Sequence, residues 1–123
     1  METNPVHWFE IPMDDLDRAK NFYESVFECK LNFLEMGPMK MLQFSMVNDT
    51  YGSAGALVKA EGYEPSYAGT IVYFGTNDID GTLRKVIASG GKIILPKTSI
   101  GEYGFIAQFE DSEGNKISLH SMT

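Results

Sequence analysis

The chain is poor in the residues that staple small proteins or hold metals: one cysteine, Cys29, and two histidines, His7 and His120, among 123 residues. A lone cysteine cannot close an internal disulfide, and without a C-x-x-C pair or a Cys–His cluster no structural zinc site is expected. Uninterrupted apolar runs are short, so no segment approaches the roughly 18 residues that cross a bilayer as a helix. The opening "METNPVHWFE" has neither the basic start nor the apolar core of a signal peptide, which predicts a soluble, cytoplasmic protein. Positive charge is also scarce. Ten Lys and Arg stand against 17 Asp and Glu, for a net charge of -7, and the cations are scattered from Arg18 to Lys116. No basic stripe can form, so partnership with nucleic acid or an anionic membrane is disfavoured. No phosphate-binding loop and no Ser-His-Asp arrangement can be read.

What is present is a pattern that occurs twice. "DDLDRAKNFYESVF" places Leu16, Ala19, Phe22, Tyr23, Val26 and Phe27 on one helical face, with Asp14 as the expected cap. "NDIDGTLRKVIASGG" places Ile79, Leu83, Val86 and Ile87 on another, with Asn77 as cap and Gly90 as a left-handed stop. Superposing Asp15 on Asp78 gives an offset of 78 - 15 = 63, about half the chain. A strand-like run precedes each helix, "PVHWFEI" and "GTIVYFGT". Three more follow each: "CKLNFLEM", "KMLQFSMV" and "AGALVKA" in the first half, "KIILP", "GFIAQFE" and "KISLHS" in the second. The prediction is α+β: two βαβββ modules within one domain spanning 1–123. Module one covers about residues 1–60, a linker about 61–68, and module two about 69–123.

Alternation along the strands sorts their faces. Phe9, Ile11, Val72, Phe74, Ile117 and Leu119 are predicted to lie under the helices, with His7 on that side or at the rim. Trp8, Glu10, Ile71, Tyr73, Ser118 and His120 fall on the opposite face. That mixture of aromatic and polar groups suits a ligand cleft better than a plain core.

The order of elements, together with "IPMDDLDRAKNFYESVF", "YFGTNDIDGTLRKVIASGGKIILP" and "FEDSEGNKISLH", resembles the vicinal oxygen chelate superfamily, which includes glyoxalase I, extradiol dioxygenases, fosfomycin resistance enzymes and bleomycin resistance proteins. One departure is Ser112, where the family usually has proline in the closing turn. The resemblance implies an open, incompletely closed mixed β-barrel with helices outside. In its metal-dependent members it also implies four ligands, from the first and last strands of each module, holding a divalent ion. Those four positions here are Trp8, Ile71, Gly55 and Ser118, and none carries an imidazole or carboxylate. No metal and no cofactor is therefore expected. His7 would become a ligand only if a β-bulge slipped the first strand by one residue.

The expected function is the binding of a small apolar or aromatic molecule by Trp8, Glu10, Tyr73, Ser118 and His120, in the manner of resistance by sequestration. The acid excess would suit a cationic ligand. Tyr51, Tyr63, Tyr67 and Tyr103 stand in loops beside this cleft, and the methionines Met36, Met39, Met41 and Met46 offer adaptable packing. If the protein is an enzyme, His120 and Glu10 are the candidate catalytic groups, in a glyoxalase-like lyase or isomerase, or a dioxygenase, with a rearranged site. A third reading is an interaction module whose cleft is closed. Unpaired sheet edges point to a homodimer.

Overall fold

The computed structural model describes residues 4–123; Met1–Thr3, the start of module one, lie outside the described residues. Module one runs β1 (Phe9–Pro12), α1 (Leu16–Phe27), β2 (Leu31–Met36), β3 (Met39–Phe44) and β4 (Gly55–Lys59). Module two runs β5 (Tyr73–Gly75), α2 (Ile79–Ala88), β6 (Lys92–Ser99), β7 (Phe105–Glu110) and β8 (Lys116–Ser121), with a short 3-10 turn at Gly101–Tyr103. Each module is the expected βαβββ unit and builds its own four-stranded mixed sheet, in the orders β1-β4-β3-β2 and β5-β8-β7-β6. β1 pairs parallel with β4 and β5 with β8, while the remaining pairs are antiparallel. The sheets do not join into a closed barrel.

The duplication survives in detail, with one shift at each helix start. The N-caps are Asp15 and Asp78, not Asp14 and Asn77: the Asp15 side chain accepts from the N–H of Arg18, and Asp78 accepts from that of Gly81. Both helices thus begin one residue later than their sequence signals suggest, and the cap-to-cap spacing of 78 - 15 = 63 is unchanged. An aspartate three residues ahead of a main-chain N–H satisfies a donor that the first helical turn leaves free. Gly90, at φ 96°, takes the left-handed conformation expected of a helix stop. β1 and β5 are shorter than their strand-like runs, because residues 5–8 and 69–72 carry no ladder pairing.

The helix-facing strand residues behave as alternation requires. Ile11, Ile117 and Leu119 are buried in one apolar cluster with Ala19, Phe22 and Val26 of α1 and Ile79, Leu83 and Val86 of α2, and Phe9, Val72 and Phe74 pack against it. The cluster draws on both modules. Its centre is aromatic: Phe27 of α1 stacks on Phe74 of β5 with ring centroids 4.4 Å apart, and Phe9 meets Phe74 edge-on at 5.7 Å. Edge-to-face and offset geometries match the ring quadrupoles and add about 0.5–1.5 kcal/mol per pair to the area buried. β1 and β5 are the end strands of their sheets, and the Phe9–Phe74 contact joins them across this seam.

A polar clamp closes the seam at its far end. The turn 111–115 of module two reaches the start of α1 in module one, where Glu113 accepts from the main-chain N–H groups of Asp14 (2.8 Å) and Asp15 (2.7 Å) and from the Arg18 guanidinium at Nε (2.8 Å). Beside it the buried Tyr23 hydroxyl donates to Asp111 at 2.6 Å, and Asn115 Nδ2 donates to the Pro12 carbonyl at 2.8 Å. Burial raises the Tyr23 hydroxyl well above its usual pKa, with the Asp111 charge adding to it, so this donor keeps its proton.

Candidate functional site

Two stretches without ladder partners, residues 4–8 and 70–72, lead into β1 and β5 and line one cleft. Together with the loop after β3 they enclose a cleft of about 910 Å³, within the ~300–1,000 Å³ range of small-molecule sites. Trp8, Glu10, Ile71 and Tyr73 line it from the face away from the helices; Phe9, Phe44, Val72 and Phe74 close it from the core side; Tyr51 stands at the mouth. Six of the described lining residues are aromatic: Trp8, Phe9, Phe44, Tyr51, Tyr73 and Phe74. Trp8 is 39% exposed and Tyr73 51% exposed, so both rings are available to a ligand.

Glu10 is the one charged residue among the described lining residues. Its two oxygens are both occupied by neutral donors: Trp8 Nε1 donates to Oε2 at 3.3 Å and the Tyr63 hydroxyl donates to Oε1 at 2.8 Å. The hydrogen bond to Glu10 raises the Tyr63 pKa above its usual value, so Tyr63 remains a donor through neutral pH. Four residues further along the same linker, Tyr67 donates to Glu110 of β7. The linker between modules is therefore fastened to a glutamate of each sheet. The sequence predicts both tyrosines in loops beside the cleft; neither is among its lining residues, and only the fold reveals which carboxylate each one reaches.

Of the five residues singled out from sequence, Trp8, Glu10 and Tyr73 come together in this cleft. Ser118 does not line it. It is fully buried beside Tyr73 in the β5–β8 ladder, and its hydroxyl accepts from Gln108 Nε2 at 3.2 Å. His120 pairs with Gly75 at the other end of β5, where its Nε2 lies 2.7 Å from the Tyr103 carbonyl oxygen. His7 is exposed and precedes β1.

The four positions at which the resemblance implies metal ligands carry no set of side chains suited to a divalent ion. Trp8, Ile71 and Ser118 offer no anionic or imidazole donor, and a β-carbon on Gly55 would lie 2.5 Å from ring atoms of Phe9. No side chain of any kind fits at that position without moving β1. Among the described residues no group of three or more His, Cys, Asp or Glu side chains is placed to hold an ion.

The sequence pattern of the Glyoxalase/Bleomycin resistance protein/Dioxygenase superfamily matches residues 6–119. The chain belongs to this superfamily. A glyoxylase-like domain-containing protein of Didymella fabae is 32% identical over 114 residues, covering 89% of this chain and 88% of that protein. Among solved structures, TnmS3, an antibiotic binding protein from Streptomyces sp. CB03234, superposes with a TM-score of 0.69 at 23% identity, over 100% of this chain and 99% of that one. Glyoxalase I from Zea mays superposes with a TM-score of 0.71 at 22% identity, over 96% of this chain but 46% of the maize chain. This superfamily member thus spans about half the length of the maize enzyme, and at these identities the two structural likenesses establish the fold alone. No helix among its described residues is long and apolar enough to cross a membrane.

Proposed function

We propose that this superfamily member is a metal-free binding protein whose two modules act as one domain and receive a small apolar or aromatic molecule between Trp8 and Tyr73. The observation that carries the reading is the cleft itself: about 910 Å³, walled by aromatic rings, with indole and glycine at two positions where a metal-dependent relative needs ligands. Apolar walls supply affinity by area, and a few fixed polar groups supply orientation. The likeness to an antibiotic binding protein supports sequestration as the role. A homodimer fits the same reading, because β2 is an unpaired edge that leaves Phe33, Leu34 and Met36 exposed. The single cysteine, Cys29, suits the cytoplasm.

Trp8 is the only tryptophan in the chain, so its emission reports on the cleft directly. A panel of planar aromatic compounds should contain members that shift or quench this emission saturably. Addition of zinc, nickel, iron or manganese salts should leave the emission and the thermal midpoint unchanged, and metal analysis of the protein after dialysis should find no stoichiometric ion. Stoichiometric retention of any of these ions would overturn the metal-free reading and favour a glyoxalase-like or dioxygenase-like enzyme with a rearranged site.

A further inference from the structure

The cleft contains a carboxylate whose charge nothing in the described chain neutralises. Glu10 has no Lys, Arg or His within ion-pair distance among the described residues, where the ion pairs are Arg18–Glu113, Lys20–Glu24 and Lys85–Glu28. Glu10 is solvent-exposed, and Trp8 and Tyr63 each donate a hydrogen bond to one of its oxygens, which orients the carboxylate at the cleft. Two neutral donors orient a carboxylate and leave its full negative charge in place. The same hydrogen bond uses the edge of the Trp8 indole, leaving its π-face for the cleft, and Tyr73 and Tyr51 present further exposed rings nearby. An anionic group fixed among aromatic faces is complementary to one chemical class. A positive charge on an apolar body gains from the ring quadrupoles and from the carboxylate together.

We infer that the cleft selects an organic cation, a quaternary or protonated amine carried on an aromatic body, with Glu10 as its counter-charge and Tyr63 as the residue that positions Glu10. This rests on the cleft being the binding site. Each cation–π contact at an exposed site is worth about 0.5–1 kcal/mol, a factor of roughly 2–5 in affinity, and a fixed counter-charge multiplies this further. Discrimination of about tenfold or more between a cation and a neutral molecule of the same shape is therefore expected. Tyr63 acts only through Glu10, so its loss should alter the discrimination and leave apolar affinity alone.

The test uses two molecules of matched shape, 3-hydroxyphenyltrimethylammonium and 3-tert-butylphenol, titrated into the full chain and followed by Trp8 emission and by calorimetry. The cation should bind at least about tenfold more tightly. Glu10→Gln should bring the two affinities within about twofold by weakening the cation only, and Tyr63→Phe, which keeps the ring in its packing, should reduce the ratio by about threefold. Equal binding of both molecules to the unaltered protein would overturn the cation inference while leaving the cleft reading intact. Absence of any response to either molecule would overturn both. A Tyr63→Phe protein that loses affinity equally for both molecules would refute the positioning role, since that is how a general loosening of the cleft would read.

Discussion

Removing the Glu113 carboxylate should weaken the whole fold, because this one side chain from module two completes the first helix of module one. It is fully buried and accepts five hydrogen bonds: two from main-chain N–H groups, two from Arg18 and one from Ser112. Hydrogen bonds to a charged group contribute about 1.5–3 kcal/mol each, but bonds sharing one acceptor do not add. Arg18 is 53% exposed, so on losing its partner it is rehydrated, and its share must be discounted. What remains is chiefly two orphaned N–H groups at a helix start, for a total of about 2–4 kcal/mol for Glu113→Ala. With a urea slope of about 1–3 kcal/mol/M this lowers the midpoint by roughly 0.7–4 M. The pH dependence carries a sign. Burial pushes the Glu113 carboxyl up, but the Arg18 guanidinium and the N–H donors outweigh it and hold the group below the usual carboxylate range. A group depressed on folding stabilises fully above its unfolded pKa, and the contribution is lost as the pH falls through the folded value. Urea titrations of the wild type and Glu113→Gln, run from neutral pH down into the acid range, should therefore show a stability difference that shrinks on acidification. A midpoint shift of Glu113→Ala below about 0.3 M, or a Glu113→Gln difference that widens toward acid, would refute this account of the clamp.

Two further substitutions probe neighbouring features. Tyr23→Phe removes the hydroxyl that donates to Asp111 at 2.6 Å, leaving a buried carboxylate one donor short, and should cost about 1–3 kcal/mol by thermal or urea unfolding; an effect within error would mean that water replaces the hydroxyl. Gly55→Ala drives a β-carbon against the Phe9 ring and should lower stability and distort the cleft wall together, read as a reduced thermal midpoint with a shifted Trp8 emission maximum; an unchanged midpoint would show that β1 yields freely.

Much of this architecture could be read from the chain because it is local or periodic. Eight strands and two helices follow from alternation and from helical spacing, and the 63-residue offset predicts that Asp15 and Asp78 play the same part, which their shared capping role bears out. The capping residues lie one position beyond those the sequence predicts, because two consecutive polar residues precede each helix and the sequence does not say which one turns the corner. The site was legible in part. Alternation groups Trp8, Glu10 and Tyr73 on one face, and all three line the cleft, but so do Phe9, Phe44, Val72 and Phe74 from the helix-facing side, which alternation does not place there. Ser118 and His120 share that face, yet Ser118 is buried between Tyr73 and Gln108 of the adjacent strands, and His120, beside Gly75, turns its ring to the Tyr103 carbonyl. The bonds that matter most to the argument, Tyr63 to Glu10 and Glu113 to Asp14, span 53 and 99 residues and leave no periodic trace.

The clamp between turn 111–115 and α1 also sets an order of events during synthesis. Glu113 follows Asp15 by 98 positions, so at elongation rates of about 5–20 residues per second the first helix waits roughly 5–20 s on the ribosome with its leading N–H groups unmet. Its aromatic face gains Phe74 earlier, 113 - 74 = 39 residues before Glu113, and Phe109 only 113 - 109 = 4 residues before it. The first half of this protein therefore has its full set of contacts only once turn 111–115 has been made.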